Sequence, residues 1–483
     1  MKILMLNPPF TSKYSRNSRS PATTKGGTIY YPIWLSYATG VLEKEGFDVR
    51  LIDAPARGYN LSHVIEISKK IKPDLTVIDT STPSIFNDVK VGEVIKDNND
   101  TFILLVGTHP SALPEKTLKI SQKIDAVARR EYDYTIKDLA HALNEGKNMN
   151  SVLGISYREN KKIVHNPDRP FIENLNELPF VSSVYKKHLK ITDYFFAAAE
   201  YPMVMIFTGR GCPARCFFCL YPQTFYGRRY RLRSAKNVVA EFEYIIENLP
   251  EVKEIGIEDD TFTANLERVR EICRLLIKRG VNKKIKWWAN ARVNLDLKTM
   301  TLMKKAGCRL VIPGYESGVQ ELLNRMHKGI TIKQSLEFAK NTKKTGLLVH
   351  GCFMFGLPGE TRETIRKTIE FAKKLNPDTA QFFPLMVYPG TEAYEWAKKN
   401  NYLLTEDYSK WLTEVGLHRT LISTPDVSNK ELVEFCNKAR REFYLRPSYI
   451  FYKLKQSILH PEEGKRTLKS LPNFLKHLLA GVR

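Results

Sequence analysis

The stretch Gly209-Arg210-Gly211-Cys212-Pro213-Ala214-Arg215-Cys216-Phe217-Phe218-Cys219 places three of the seven cysteines of the chain within eight residues. No histidine lies between His188 and His327, and the next cysteine, Cys273, belongs to an amphipathic helical pattern. A closed zinc site therefore lacks an obvious fourth ligand. An iron–sulfur cube normally takes four cysteines, so a cube held by these three would keep one iron open to another ligand. The alternative, three cysteines that are merely buried, fits this spacing and its Gly, Pro and Arg neighbours poorly.

The spacing Cys-x3-Cys-x2-Cys, with an aromatic residue directly before the last cysteine, resembles that of radical S-adenosylmethionine (radical SAM) enzymes. The resemblance implies a [4Fe-4S] cluster on Cys212, Cys216 and Cys219, with SAM chelated to its open iron. It also implies an external one-electron reductant of the flavodoxin or ferredoxin type, and cleavage of SAM to a 5′-deoxyadenosyl radical that abstracts hydrogen from an unactivated carbon. Phe217 and Phe218 would exclude water from this chemistry.

Length and composition indicate a globular chain of about two to four domains, because 483 residues exceed one typical core and 43% of them are apolar. We find no run of about 18 apolar residues and no charged and apolar leader. The scattered cysteines do not form a disulfide framework, so we expect a cytoplasmic protein, with peripheral contact at the inner face of the membrane as one option. The 75 basic and 52 acidic residues give a formal charge of +23. This charge is consistent with binding to nucleic acid, with contact to an anionic membrane or with a lysine-rich surface, and by itself it does not identify a partner.

The first 145 residues alternate short apolar runs with helical patterns. The predicted strands are Ile3 to Leu6, Val49 to Ile52, Leu75 to Ile78, Phe102 to Val106 and Ala126 to Ala128. The predicted helices are Pro32 to Glu45, Leu61 to Ile71, Ile85 to Lys96 and Tyr134 to Glu145. This alternation predicts an α/β fold with a doubly wound, Rossmann-like parallel sheet. Its ligand should lie beyond the carboxyl ends of the strands.

Small or polar residues follow the third and fourth predicted strands, where a large ligand could approach the backbone. They are Thr80, Ser81, Ser84, Gly107, Thr108 and His109. Together with the cysteine motif, this half of the chain resembles the cobalamin-binding domain of one large class of radical SAM enzymes. The resemblance implies cobalamin contact at these positions. No histidine precedes His63, so the Asp-x-His-x-x-Gly motif is absent and we expect cobalamin without a lower histidine ligand from it. His109 either substitutes for that ligand or fixes its own loop by hydrogen bonding.

Polar residues also end a series of predicted strands after residue 201, as a parallel barrel requires. SAM needs carboxylates for its ammonium and ribose, an arginine for its carboxylate and glycines beside its adenosine. The segments Asp-Asp-x-Phe, Ala-x-Arg, Gly-x-Glu-Ser-Gly and Gly-x-Pro-Gly-Glu-Thr recur in this order in the radical SAM family. The resemblance implies a partial (β/α) barrel of the TIM type and SAM contacts at Phe218, Asp260, Arg292, Glu316, Ser317 and Gly356. Taken singly, each acidic strand end is as easily a helix cap.

These patterns predict four segments: a cobalamin-binding domain at 1–145, a linker layer at 146–200 with a hairpin around Glu159-Asn160-Lys161, a radical SAM partial barrel at 201–400 and a basic helical region at 401–483. Four arginines after the cysteines either hold an anionic group or lie in a solvated loop: Arg228, Arg229, Arg231 and Arg233. From Lys438 to Arg483 there are 11 Lys and Arg against 3 Glu. This part either contacts an anionic membrane or packs on the barrel. Three prolines break it into short pieces and favour packing.

Four short segments are most similar to hopanoid-biosynthesis radical SAM proteins of the HpnJ type, and more distantly to anaerobic magnesium-protoporphyrin ester cyclases: Asn7-Pro8-Pro9, Tyr31-Pro32-x-Trp34-Leu35, Leu51-Ile52-Asp53-Ala54-Pro55 and Arg130-Glu131-Tyr132-Asp133. This resemblance implies a lipid substrate, or its sugar or cyclitol headgroup. Methylation, oxidative cyclisation and ring contraction stay open. A tRNA-modifying radical SAM enzyme would explain the charge, but the first 200 residues hold no cysteine for a second cluster, so we do not expect nucleic acid. A non-enzymatic cobalamin or redox sensor would leave the polar strand ends without a role.

Overall fold

The computed structural model describes residues 1–468. Its first sheet consists of β1 (Lys2–Asn7), β2 (Asp48–Asp53), β3 (Leu75–Thr80), β4 (Phe102–Gly107), β5 (Ala126–Ala128), β6 (Ile155–Glu159) and β7 (Lys162–His165). The strand order is β2-β1-β3-β4-β5-β6-β7, and β1 to β5 are parallel. Ile103 to Val106 of β4 are fully buried, because helices cover both faces of a parallel sheet and such strands are apolar throughout.

The helices of this half are α1 (Ile33–Lys44), α2 (Ala54–Arg57), α3 (Leu61–Ile71), α4 (Ile85–Asn98), α5 (Thr108–Ala112), α6 (Pro114–Ile120), α7 (Asp133–Asn144) and α8 (Val181–His188). Helix α1 packs with α7 and α8, whereas α3 packs with α4. The strand order reverses between β1 and β3, so the topological switch point lies at the carboxyl ends of these two strands. The predicted doubly wound sheet is confirmed.

The hairpin predicted around Glu159-Asn160-Lys161 joins β6 to β7. Asn160 and Lys161 both have positive φ, at 47° and 67°, as a two-residue turn between twisted strands requires. Strand β6 pairs antiparallel with β5. Residues 155–165 of the predicted linker layer at 146–200 therefore extend the first sheet.

The second half contains β8 (Met203–Ile206), β9 (Gly209–Arg210), β10 (Arg231–Leu232), β11 (Glu254–Ile257), β12 (Lys286–Ala291), β13 (Cys308–Glu316), β14 (Leu348–Phe355) and β15 (Thr379–Pro384). Six of these strands form a parallel sheet in the order β8-β11-β12-β13-β14-β15, and β9 and β10 form a separate antiparallel ribbon. The order starts at β8 and ends at β15, so the sheet is the predicted partial barrel. Its helices are α9 (Leu220–Thr224), α10 (Ala235–Asn248), α11 (Leu266–Lys278), α12 (Leu297–Lys305), α13 (Gln320–Arg325), α14 (Ile332–Thr345), α15 (Arg362–Leu375) and α16 (Glu392–Lys399).

The carboxyl-terminal region packs against the barrel. Helix α17 (Asn429–Tyr444) begins with a capping box between Ser428 and Glu431 and contacts β15, and α18 (Pro447–Leu459) follows it. Helical structure resumes at 461–468. The rest of the predicted basic region, 469–483, lies outside the described residues. Within residues 1–468, no helix is both long and apolar enough to cross a bilayer.

Candidate active site

The three cysteines lie in the loop between β9 and α9. Gly211, directly before Cys212, has φ +93°, and a Cβ there would lie 2.0 Å from the backbone oxygen of Arg229. Only glycine fits so close an approach with this backbone conformation. The turn brings Cys212, Cys216 and Cys219 to the wall of one cavity.

Two buried ion pairs hold the base of this loop against the first sheet. Arg210 donates to both carboxylate oxygens of Asp133, at 2.7 and 3.0 Å, and Arg231 donates to both oxygens of Glu131, at 2.7 Å each. None of the four side chains is more than 3% exposed. The polar residues after β5 therefore position the cysteine loop.

The four arginines that follow the cysteines are all ion-paired. Besides the Arg231 pair, Arg233 pairs with buried Glu241 at 2.5 Å and Arg228 with Glu392 at 3.3 Å, while exposed Arg229 pairs with Glu173. Neither expected alternative, an anion site or a solvated loop, describes Arg231 and Arg233. Glu131 lies 100 residues before Arg231, so that pair could not be predicted from the local sequence, whereas Glu241 lies only eight residues after Arg233.

The cysteines line a cavity of about 1060 Å³ that runs through the barrel. Near the carboxyl ends of the strands, the cavity wall carries Glu258, Asp260, Asn290, Arg292, Glu316 and Lys328. Toward the amino ends of β14 and β15 the wall includes His350 and Thr379. Beyond them it includes apolar or aromatic residues of α17, of α18 and of the link between these helices: Tyr444, Leu445, Tyr449, Ile450 and Leu454. The cavity is therefore polar at the cysteine end, whereas the α18 end combines this apolar and aromatic surface with the polar side chains of Lys453, Ser457 and Arg466.

Most of the residues predicted to hold the cluster and SAM meet at this cavity. Lining it are Cys212, Cys216, Cys219, Phe218, Asp260, Arg292 and Glu316. Ser317 is instead fully buried, with its hydroxyl 3.2 Å from that of Thr368. Gly356 also lies away from the cavity wall, because a Cβ there would meet Ile422 and Leu432, each at 3.1 Å. The structure thus places Ser317 and Gly356 in packing positions.

Glu316 combines unusual backbone geometry with an unpaired oxygen. Its φ of 60° is left-handed, a conformation that non-glycine residues keep only where the surroundings enforce it. Oε1 accepts a hydrogen bond from Lys328 Nζ at 2.7 Å, whereas Oε2 is buried and has no partner within residues 1–468. A Cβ at Gly314 would lie 2.2 Å from Oε1, so glycine is needed beside this pair. A buried unpaired acceptor fits a ligand donor such as an ammonium or a ribose hydroxyl.

Arg19, from the segment between β1 and α1, crosses to the barrel and holds two of the cavity carboxylates. It donates to Asp260 Oδ1 at 2.9 Å and to the backbone oxygen of Glu258 at 2.8 Å, and it pairs with the Glu258 carboxylate. Tyr226 donates to the other oxygen of Asp260. Sequence reasoning missed Arg19, Tyr226 and Lys328, because none of them stands in a motif and Arg19 is more than two hundred residues from its partners.

The donor set at the cysteine end fits an iron–sulfur cluster with SAM beside it. Burial, with the nearby charge of Asp260, raises the pKa of the Cys212 thiol to about 11 and also raises the pKa of Cys219. Buried thiols of this kind need a metal cation to become thiolates. Within residues 1–468, no group of three or more His, Cys, Asp and Glu side chains has the geometry of a site for one metal ion. The three cysteine thiols share one cavity wall with the unpaired Glu316 oxygen, and this arrangement suits an iron–sulfur cluster with SAM better than a single metal ion.

The carboxyl edge of the first sheet is covered by residues 8–20 of the chain itself. The fully buried Tyr14 hydroxyl lies 2.8 Å from Ser81 Oγ, which lies 2.8 Å from Ser84 Oγ. Thr80 donates to the carbonyl of Val106 at 2.7 Å. The residues predicted to contact cobalamin do not line the cavity described above: Thr80, Ser81, Ser84, Gly107, Thr108 and His109. Cobalamin contact at these six positions stays a prediction.

His109 is held within its own part of the fold. Its Nδ1 lies 3.2 Å from Thr82 Oγ1, and its ring packs edge-on against Tyr408 with centroids 5.0 Å apart. Burial lowers the pKa of His109 to about 3, so the imidazole is neutral at physiological pH. These contacts favour the loop-fixing alternative over a role as cobalt ligand.

Comparison with known sequences matches one family model to each half of the chain. The family model described as B12 binding domain matches residues 19–140, and that described as Radical SAM superfamily matches residues 206–372. The uncharacterized methyltransferase PH0819 of Pyrococcus horikoshii is 35% identical over 452 residues, which cover 93% of this chain and 94% of that protein. The anaerobic magnesium-protoporphyrin IX monomethyl ester cyclase of Rubrivivax gelatinosus is 28% identical, and the match covers 92% of this chain and 79% of the cyclase.

A solved structure shares the whole architecture. The radical S-adenosylmethionine methyltransferase TsrM from Kitasatospora setae, solved with cobalamin and a [4Fe-4S] cluster bound, superimposes with a TM-score of 0.70 and 18% sequence identity. The superposition covers 91% of this chain and 90% of that chain. At this identity the likeness concerns the fold: a sheet of Rossmann type followed by a partial barrel.

Proposed function

Because this chain belongs to the radical SAM superfamily, in the group that carries a B12 binding domain, we propose that it modifies an unactivated carbon of an amphipathic small molecule. Enzymes of this group are of the methyltransferase or cyclase type and work with a [4Fe-4S] cluster, SAM and cobalamin. The proposed substrate is a lipid or its sugar or cyclitol headgroup. The narrower resemblance to hopanoid-biosynthesis proteins stays a prediction.

One observation carries this proposal: the cavity is continuous from the three cysteines to α18. A long molecule could place a polar end near Cys219 and Glu316 while its apolar part contacts Tyr449, Ile450 and Leu454. Transfer of apolar surface from water into such a wall contributes about 25 cal/mol per Å², so a hydrocarbon chain would add substantially to binding. A compact polar metabolite would leave the α18 end of the cavity unused.

We assign the cluster to Cys212, Cys216 and Cys219, and SAM to Asp260, Arg292 and Glu316. When bound, these cofactors supply one-electron chemistry at carbon, and cobalamin supplies methyl or electron transfer. Glu316 Oε2 is free to accept a hydrogen bond from the SAM ammonium. Arg292 donates to the carbonyls of Lys328 and Gly329 at 2.5 and 3.2 Å. Its remaining N–H groups can donate to the SAM carboxylate.

The neighbouring side chains keep this end of the cavity dry and electrically balanced. Phe217 is buried against Phe218, with ring centroids 6.1 Å apart, and both rings would keep water from a radical. Arg19 and Lys328 neutralise the carboxylates that face the cysteines. Without these cations, several negative charges beside an anionic cluster would repel electrons from the site.

Helix α18 offers a route from a membrane to the cavity. Ile450 and Leu454 line the cavity, while Phe451 and Ile458 on the same helix are 71% and 79% exposed. We propose peripheral contact of this region, with its lysines, to an anionic bilayer that supplies the substrate. Sedimentation of the protein with anionic vesicles, but not with zwitterionic ones, is the expected result. A Phe451→Ser, Ile458→Ser variant that sediments equally well would contradict it.

The proposed reaction is tested by mass spectrometry. The reconstituted, reduced protein is incubated with SAM, cobalamin and a cellular lipid extract, and a parallel reaction contains the water-soluble extract. We expect 5′-deoxyadenosine or S-adenosylhomocysteine, together with a lipid that gains one methylene or changes its retention at equal or lower mass. Cys216→Ala is the inactive control. Turnover with the water-soluble extract alone would contradict a lipid substrate.

A further inference from the structure

Interior cations in this protein generally have carboxylate partners. Examples are Arg16 with Asp88, Arg210 with Asp133 and Arg309 with Glu254. Four cations of the cavity wall have no carboxylate ion pair within residues 1–468: Arg292, which donates to backbone carbonyls, Lys453, which donates to Gln456, and the two residues Lys25 and Arg440. Lys25 lies in the segment between β1 and α1, Arg440 lies on α17, and neither has a carboxylate partner within residues 1–468.

Both side chains keep hydrogen-bond donors for a ligand. Arg440 donates from Nη1 to Asn437 Oδ1 at 2.7 Å and from Nη2 to the carbonyl of Phe382 at 3.2 Å. A guanidinium has five N–H groups, so donors remain after these two bonds. The ammonium of Lys25 has three donors, and no hydrogen bond from it is present in the part of the chain that the structure describes.

The surroundings disfavour two positive charges at this place. Burial and the charge of Arg440 lower the pKa of Lys25 to about 7, and burial lowers the pKa of Arg440. Like charges in a partly dry wall raise the free energy of the protein, and a bound anion would offset that cost. The binding of an anionic group between Lys25 and Arg440 would therefore be favourable.

The protein supplies no such partner from elsewhere in the cavity. Among the described residues, the acidic side chains in the wall are Glu258, Asp260 and Glu316, all near the cysteines. Each of these three is already paired, with Arg19 or Lys328. The wall is thus charge-balanced at the cysteine end and carries an excess of positive charge at the other end, from Lys25, Arg440 and Lys453.

We propose that Lys25 and Arg440 form a subsite for an oxyanion group, a phosphate or a carboxylate, of the substrate. This proposal rests on the proposed function, because it takes the cavity as the substrate site. Charge-assisted hydrogen bonds from a guanidinium and an ammonium are the strong contacts for such groups. A substrate with its oxyanion here can reach the cysteines in one direction and the apolar residues of α18 in the other.

Binding of simple amphiphiles tests the subsite without turnover. The full-length protein with its reconstituted cluster is titrated calorimetrically with decyl phosphate, decanoate and decanol. We expect decyl phosphate or decanoate to bind at least tenfold more tightly than decanol. Lys25→Met combined with Arg440→Gln should weaken binding of the anions about ten- to a hundredfold, as the loss of charged hydrogen bonds does, and leave decanol unchanged.

Matched variants separate this effect from damage to the fold. Lys13→Met and Arg441→Gln remove exposed cations from the same segment and the same helix, and they should bind the anions like the unmodified protein. Arg440→Lys should retain part of the affinity. The proposal is overturned if the double variant binds the anions as tightly as the control variants do. It is also overturned if the affinity of the double variant for decanol falls as much as its affinity for the anions. Lipid turnover that persists in that case would leave the proposed function intact.

Discussion

Replacing Arg210 by methionine should loosen the cysteine loop from the first sheet. Arg210 makes two short hydrogen bonds to Asp133 and a third, at 3.5 Å, to Glu131, and its guanidinium lies 4.8 Å from the ring centroid of Trp34. Arg210 and Asp133 are 1% and 2% exposed. Methionine preserves most of the packing volume but leaves the Asp133 carboxylate buried without its cation.

The expected magnitude follows from that burial. Removing one partner of a buried ion pair costs about 3–5 kcal/mol, because the remaining charge has no compensation. For a cooperative unit of about 200 residues this corresponds to a fall in Tm of roughly 10 °C. Since Gly211 and Cys212 follow Arg210 directly, we also expect reconstituted protein to hold less iron and to show weaker cluster absorbance.

Thermal unfolding and iron content of matched variants provide the assay. Arg229→Met is the control, because the Arg229–Glu173 pair is exposed, at 65% and 69%, and such pairs contribute about 0–1 kcal/mol. Arg210→Met with Asp133→Leu should recover most of the lost stability, since no buried charge is left unpaired. A Tm for Arg210→Met within about 2 °C of the control, or no recovery in the double variant, would refute this role of the ion pair.

Four further outcomes are expected. Cys216→Ala should abolish cluster absorbance and SAM cleavage and leave cobalamin binding intact; retained SAM cleavage would disprove the cluster assignment. Glu316→Gln should weaken SAM binding about tenfold, measured by equilibrium dialysis against Glu321→Gln, an exposed control. Tyr14→Ala should tighten cobalamin binding in an absorbance titration if cobalamin must displace the Tyr14–Ser81 contact, and unchanged affinity would show that it does not. Burial raises the pKa of Glu360 to about 8, above its value of about 4.3 in the unfolded chain. The contribution of the protonated Glu360 side chain to the free energy of unfolding is therefore complete below about pH 4 and is lost as the pH rises toward 8. Glu360→Gln should therefore flatten the fall in Tm between pH 5 and pH 8.5, and an unchanged slope would exclude Glu360 as its cause.

The amino-acid sequence by itself determined the features that depend on residues close together in the chain. The three cysteines fall within eight residues, and alternation of short apolar runs with helical patterns predicted both parallel sheets. Periodicity and spacing are local properties, so no knowledge of packing was needed. The resemblance of the ordered strand-end segments to the radical SAM family implied that Asp260, Arg292 and Glu316 would share one site, and the carboxyl ends of parallel strands do share one edge.

Only the tertiary structure decided which side chains complete the site. Arg19 reaches Glu258 and Asp260 across 239 and 241 residues of sequence, and Arg210 reaches Asp133 across 77. Residues 8–20 cover the sheet edge where the sequence predicted cobalamin, and Lys25 and Arg440 line the same cavity. These pairings depend on how the two sheets and α17 pack. Because the partners are far apart in the sequence, no local sequence pattern predicts them.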